Sequence, residues 1–173
     1  SLGTPIYTER NKFLKSFIPI FKKYYNNISS GDDSVNIKYN SHLNEGSFKE
    51  IINSSISKDR FVQYTTKGIH KDDLEFLIDG NKIKNFGSQG QQKSFLVSLK
   101  LAQFEYYKDQ LGSSPIVLLD DIFDKLDQSR VSQIVSILEK NEFGQIFITD
   151  THRERVEEAL KDSSNKEEIF NIE

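Results

Sequence analysis

The 173-residue chain has no cysteine, which rules out disulfides, zinc knuckles, iron–sulfur clusters and thiol nucleophiles. That absence agrees with a reducing cytoplasm. Long hydrophobic runs are missing too. Apolar residues make up 36% of the chain, mean hydropathy is −0.56, and runs such as Ile116-Val117-Leu118-Leu119 stop after a few residues. A membrane-spanning helix needs about 20. No basic segment followed by an apolar one opens the chain, as it would in a secretory signal. Positive charge is not in excess, with 23 Lys and Arg against 26 Asp and Glu. The cheapest argument for nucleic acid, a strongly basic domain, therefore fails, and only a local basic patch is left open. Methionine is absent, although every gene product starts with one. This predicts that Ser1-Leu2-Gly3 is an internal point of a longer protein, or else a processed terminus.

The length suits one domain or a large piece of one, enough to bury about 70% of the unfolded surface. Thr4-Pro5 marks a helix start, and Phe13, Phe17, Ile20, Phe21 and Tyr24 follow at helical spacing, predicting one helix or a broken pair over 5–28 with a kink at Pro19. Val35, Ile37 and Tyr39 alternate with polar residues as a half-buried strand. Ser47-Phe48-Lys49-Glu50 is a capping box at the head of a helix near 48–57. Leu74-Glu75-Phe76-Leu77-Ile78 and Asp79-Gly80-Asn81-Lys82 predict a strand, a tight turn and a short return strand. After a loop at 85–90, Phe95, Leu99, Ala102 and Tyr106 mark the core face of a helix that stops at Gly112. The apolar runs 116–119 and 146–148 predict buried strands covered on both faces, with Val131, Ile134, Val135 and Leu138 on a helix between them and Val156, Ala159 and Leu160 on a helix after them. A solvated turn is expected over 161–168. Helix, buried strand, helix, buried strand is the grammar of a parallel α/β sheet, and a soft domain boundary falls near 60–73.

Four groups of residues could carry chemistry. Gly87-Ser88-Gln89-Gly90-Gln91-Gln92 opens into a helix, where close backbone approach, a hydroxyl and free amides make an anion site; a plain glycine turn capped by Ser88 is the alternative. Gly87, Lys93 and Ser94 mimic the phosphate-binding P-loop, but Gln92 stands where that pattern needs glycine, so a P-loop is rejected. Asp120 and Asp121 end a buried strand, where open α/β sheets place ligands, and Asp124-Lys125-Leu126-Asp127 follows. One acid can hold Mg²⁺ while its neighbour faces a water. The bland reading is solvated acids, with Asp127 capping the next helix. His70-Lys71-Asp72-Asp73 suits metal or phosphate, or a solvated turn. Thr149-Asp150-Thr151-His152 lies at the same sheet end as Asp120, with helix capping by Asp150 or Thr151 as its alternative.

The series from Phe86 to Lys93, then Leu101-Ala102, then Pro115 to Asp121 with Leu126-Asp127, then Gln145-Ile146-Phe147-Ile148-Thr149 resembles the C-terminal half of the RecF family, repair ATPases of the ABC class related to the SMC proteins. Gly68-Ile69-His70-Lys71-Asp72-Asp73-Leu74 resembles that family's G-P-H-R-D-D-L stretch, with Ile and Lys substituted. The likeness is specific over 68–149 and loose before that.

The resemblance implies an α/β fold, half of an ABC-type, P-loop NTPase-like ATPase domain with a parallel sheet core. A helix-rich lobe and return segment would occupy 1–60 and the ATPase portion 61–173. It also implies ATP and Mg²⁺ as ligands. Ser88, Gln89, Gly90 and Gln91 would form the signature motif that contacts ATP held by the opposite subunit. Asp120 would be the Walker B acid for Mg²⁺, Asp121 the catalytic base in place of the commoner Glu, Asp127 the D-loop acid, and His152 the switch histidine. The family's Walker A motif, which precedes its helical lobe, has no counterpart here. By the same resemblance the parent would be cytoplasmic, bind gapped DNA or its junctions, dimerise with ATP, and cooperate with RecO and RecR. Two readings from other classes stand beside this one: a two-metal nuclease using Asp120, Asp121 and Asp124 with Lys125, which would cleave without ATP, and a non-catalytic interaction module.

Overall fold

A computed structural model of the chain describes residues 2–29, 33–140, 143–161 and 168–170. Helix α1 (Gly3–Ser29) holds Pro5 in its first turn, where backbone amides have no partners to lose. It runs through Pro19 as one element rather than as a pair. Strand β1 (Val35–Asn40) buries Val35 and Ile37, as the alternation requires. Helix α2 (Phe48–Val62) starts at the capping box: the Ser47 hydroxyl accepts the Glu50 amide at 3.3 Å and the Glu50 carboxylate accepts the Ser47 amide at 3.0 Å. It continues past 57 to Val62, and Asp59 near its end accepts the Thr66 amide at 2.9 Å and the Thr66 hydroxyl at 2.6 Å. Strands β2 (Asp73–Ile78) and β3 (Asn81–Lys82) complete an antiparallel sheet of order β1-β2-β3, with Val35 opposite Ile78 and Asn40 opposite Asp73. The Asp79-Gly80 turn takes φ of 47° and 77°, both in the left-handed region that a two-residue hairpin demands.

Two compact units share the chain. One joins α1 up to Lys22 with Asp33–Gly87; the other joins the end of α1, from Lys23, with the residues from Ser88 onward. No break in pairing falls at 60–73, because β1 before it pairs with β2 after it.

The first unit has a polar anchor where a solvated turn was one expectation. The Asp72 side chain is only 2% exposed. Arg10 donates to its Oδ2 at 2.8 Å and to the Ile69 carbonyl at 2.9 Å, and the Tyr39 hydroxyl donates to the same Oδ2. Burial, and then this carboxylate, push the Tyr39 phenol above its ordinary pKa. His70 Nε2 sits 3.1 Å from the Thr65 carbonyl, so the His70–Asp73 stretch holds its own loop.

A short helix α3 (Ile83–Phe86) closes the first unit and takes up the first two positions of the loop expected over 85–90; in the second unit α4 (Gln89–Leu111) takes up the last two and runs to Gly112. The core face of α4 is wider than the aromatic spacing suggests: Ser94, Phe95, Val97, Ser98, Leu101, Ala102 and Phe104 are buried, Leu99 and Tyr106 less so. The Ser98 hydroxyl is satisfied by donating to the Ser94 carbonyl at 2.6 Å, which lets a polar residue lie inside. The end of α1 adds Tyr24, Tyr25 and Ile28 to this core, with the Tyr24 hydroxyl donating to Glu105 at 2.6 Å. Strands β4 (Ile116–Asp120) and β5 (Gln145–Thr149) pair in parallel, bridged by α5 (Gln128–Lys140), and α6 (Arg153–Leu160) follows.

The parallel sheet grammar is right, but the burial expectation is corrected. Val117 and Leu119 are buried, whereas Ile116 is 61% exposed, Leu118 71% and Phe147 48%, so one face of the two strands is open. The reason is simple: within this chain nothing covers that face among the described residues, while parallel sheets ordinarily bury both. The turn expected over 161–168 lies largely outside the described residues.

Two expectations follow from these packed groups. Arg10→Met strands a buried carboxylate and, since Arg10 is itself half exposed, should lower unfolding free energy by about 2 kcal/mol; an unchanged urea midpoint would contradict the anchor. Glu50 and Asp59 are held below the usual carboxylate range, Glu50 by its bonds to Ser47 and Asp59 first by the Thr66 hydroxyl. Their contribution is therefore present above the unfolded value near ~4 and is lost as pH falls through the lower folded values. Hydrogen exchange at the Thr66 amide should accelerate below about pH 4, and in Asp59→Asn that acid step should vanish.

Candidate functional site

The site is built at the carboxyl edge of β4 and β5. Their register sets Asp120 opposite Thr149. The Thr149 hydroxyl donates to Asp120 Oδ1, and the Asp121 amide donates to the Thr149 carbonyl at 2.9 Å. Asp121 leaves the strand with φ of 49°, a left-handed conformation that an L residue pays for and that Asp tolerates better than most. The two acids thus differ in environment because the backbone turns between them. Ile122 and Phe123, 4% and 1% exposed, pin the far side of this turn in the core. These two anchors were not singled out from sequence, although an apolar pair directly behind two acids is a signal for a buried turn.

The stretch Ser88–Gln91, which the resemblance reads as a signature motif, forms the start of α4. The Ser88 hydroxyl accepts the Gln91 amide at 3.2 Å, and the Gln91 side-chain oxygen accepts the Ser88 amide at 2.8 Å, a capping box in which both side chains serve their own helix. Gly87 has φ of −75° and no left-handed requirement. The closer approach is at Gly90: a Cβ there would meet Arg130 Nη1, the tip of a side chain that can swing aside, at 2.4 Å and the Lys125 carbonyl at an ordinary 3.4 Å. Lys93, one turn on, donates to the Asp121 carbonyl. The P-loop likeness is thus rejected by geometry as well as by Gln92.

Asp127 caps α5, its Oδ1 accepting the Arg130 amide at 2.9 Å with the guanidinium 3.6 Å away. Gly90, Lys93, Asp121, Lys125 and Arg130 are therefore brought together. Ser88, Gln89 and Gln91 share the helix start beside them.

His152 immediately precedes α6 with its side chain 65% exposed, and its Nδ1 lies 2.9 Å from the Thr151 hydroxyl. Asp150, which the sequence left open as a helix cap or, beside His152, as a nucleotide sensor, has a fully buried side chain. It accepts the His152 amide at 2.8 Å and lies 3.5 Å from Arg155 Nη1, so it fixes the turn after β5.

A single strand-end carboxylate such as Asp120 suits Mg²⁺, which takes one or two protein carboxylates and completes its shell with water and substrate phosphates. The two-metal alternative fares worse. Among the described residues no three His, Cys, Asp or Glu side chains gather into a metal-holding group, and Asp124 instead faces Lys125 at 3.9 Å. No described helix is long and apolar enough to cross a membrane.

No family model matches the chain. Curated relatives do. The DNA replication and repair protein RecF of Flavobacterium johnsoniae is 51% identical over 98% of this chain and 47% of its own length. RecF of Phocaeicola vulgatus is 44% identical over 100% of this chain and 47% of its own length. Among solved structures, the recombination mediator protein RecF-ATPrS in the RecFOR pathway matches with a TM-score of 0.69 and 25% identity, covering 87% of this chain and 42% of that one. The SmcHead bound to the C-winged helix domain of ScpA matches with a TM-score of 0.55 over 86% of this chain and 37% of that one; at 15% identity this is a likeness of fold alone. The chain spans about half the length of the curated relatives it matches. Its α/β architecture is shared with RecF and with the SMC ATPase head. With half its residues identical to a RecF over nearly all of its length, the chain belongs to the RecF family.

Proposed function

We propose that this chain supplies the signature, Walker B and D-loop portion of an ATP-dependent DNA replication and repair protein, residues 61–173 contributing to the ATPase domain and 1–60 to the helix-rich lobe. The observation that carries the reading is the meeting of three elements at one sheet edge: the Asp120-Asp121 turn, the capped start of α4, and the Lys125–Arg130 segment packed against Gly90. ATP would lie between two subunits, with Ser88, Gln89, Gly90 and Gln91 facing the terminal phosphate of the nucleotide bound by the partner.

Mg²⁺, when bound, neutralises phosphate charge and would be held by Asp120. Asp121 accepts the proton of the attacking water, and the buried Ile122 and Phe123 hold its turn in place. Asp127 orders the segment nearest the partner, and His152 stands at the phosphate end of β5. The open β4–β5 face supports a larger parent: burying Ile116, Leu118 and Phe147 would contribute about 1–2 kcal/mol each, and the rest of a RecF-length chain is the natural cover. Such a parent would work in the cytoplasm, dimerise with ATP on gapped DNA, and act together with RecO and RecR.

Asp121→Asn in a RecF-length protein carrying this segment should keep ATP binding while slowing hydrolysis by at least about a hundredfold, since the carboxamide cannot take the water's proton. Single-turnover rates equal to wild type would remove Asp121 from that role. Ser88→Arg should leave folding and initial ATP binding nearly intact, the lost helix cap costing about 1 kcal/mol, but abolish ATP-induced dimerisation, read by light scattering. Dimers that form normally would rule out a signature contact across subunits.

A further inference from the structure

Lys93 has no task in the nucleotide reading above, yet its ammonium is committed. It donates to the backbone carbonyl of Asp121 at 2.5 Å, in a partly buried setting. The amide of the same residue is held from the other side, by the Thr149 carbonyl at 2.9 Å and the Thr149 hydroxyl at 3.2 Å. Asp121 between these two holds has φ of 49°, a conformation that persists only where its surroundings over-determine it. One hold comes from β5 and is fixed by strand register. The other comes from α4, one turn beyond Gly90, on a helix anchored by the buried Ser94, Phe95 and Ser98. Just past this turn, Asp124 and Lys125 face each other at 3.9 Å.

We propose that Lys93 is a positioning residue: through the Asp121 carbonyl it fixes the turn that presents the Asp121 carboxylate, and it ties that turn to the helix headed by Ser88. The inference rests on the nucleotide reading for its consequence and on geometry alone for the hold itself. A charge-assisted hydrogen bond to a strained carbonyl is strong enough to set the population of the turn, because the ammonium is the stronger donor and water is partly excluded. Since α4 is a single capped helix, a phosphate engaging its start acts on the same rigid element that grips Asp121. This gives a physical link between occupancy of the signature turn and readiness of the base.

The test uses a RecF-length protein carrying this segment, with Lys93→Met and Lys93→Arg. Without nucleotide, hydrogen exchange over 121–126 should speed up roughly tenfold in Lys93→Met, while amides within 95–105 keep their protection. In steady-state ATP hydrolysis, Lys93→Met should lower kcat by about ten- to a hundredfold with KM within about twofold, and Lys93→Arg should restore most of kcat. A lysine that bound phosphate directly would raise KM instead, and that result overturns the proposal. Wild-type exchange over 121–126, or wild-type kcat, in Lys93→Met overturns it as well. If the wild-type protein hydrolyses no ATP, the nucleotide reading has failed, and the exchange measurement by itself decides whether Lys93 holds the turn.

Discussion

The parallel register that sets Asp120 beside Thr149 is the constraint on which the rest of the site depends. It brings a hydroxyl to the first acid and a carbonyl to the amide of the second, so two adjacent carboxylates leave one strand with different neighbours. A slip of one residue would turn Val117 and Leu119 out of the core and carry both acids with them. The apolar residues that fix this register thus also fix the chemistry at its edge.

Around that edge, small side chains and backbone groups do most of the assembling. Gly90 lets the Arg130 guanidinium settle against the helix start, where a Cβ would make it swing aside. The helix that carries Gly90 buries two serines along with Phe95, Val97 and Leu101, Ser98 giving its proton to a carbonyl of its own helix. Ser88 and Gln91 spend their side chains on capping, so what this turn leaves to a ligand is the start of the helix rather than those two side chains. The first unit follows a different rule. There a buried carboxylate, Asp72, draws in Arg10 and Tyr39 and ties a loop, a helix and a strand together.

Much was legible in the sequence because the relevant forces act over a few residues. The Ser47 capping box, the Asp79-Gly80 turn, the alternation in β1 and the stop at Gly112 each depend on neighbours within one turn or one pleat, and each lies where the pattern put it. The strand-to-acid run 116–121 and the helix–strand order over 91–160 likewise sufficed to place Asp120 at a parallel sheet's edge. What stayed hidden needed partners far along the chain: the burial of Asp72 and Asp150, the core face of α4 set by Ser94 and Ser98 rather than Leu99, and the reach of Lys93 to a carbonyl on another element.

The sequence by itself determined the elements, their order and the chemical identity of the edge residues, since propensity, capping and apolar period are local properties of covalent neighbours. Only the tertiary structure decided which of those residues meet and which face stays open. The same apolar run reads as buried on both sides whether or not a covering layer is supplied, and Ile116 and Leu118 are exposed because burial belongs to the packing partner rather than to the strand.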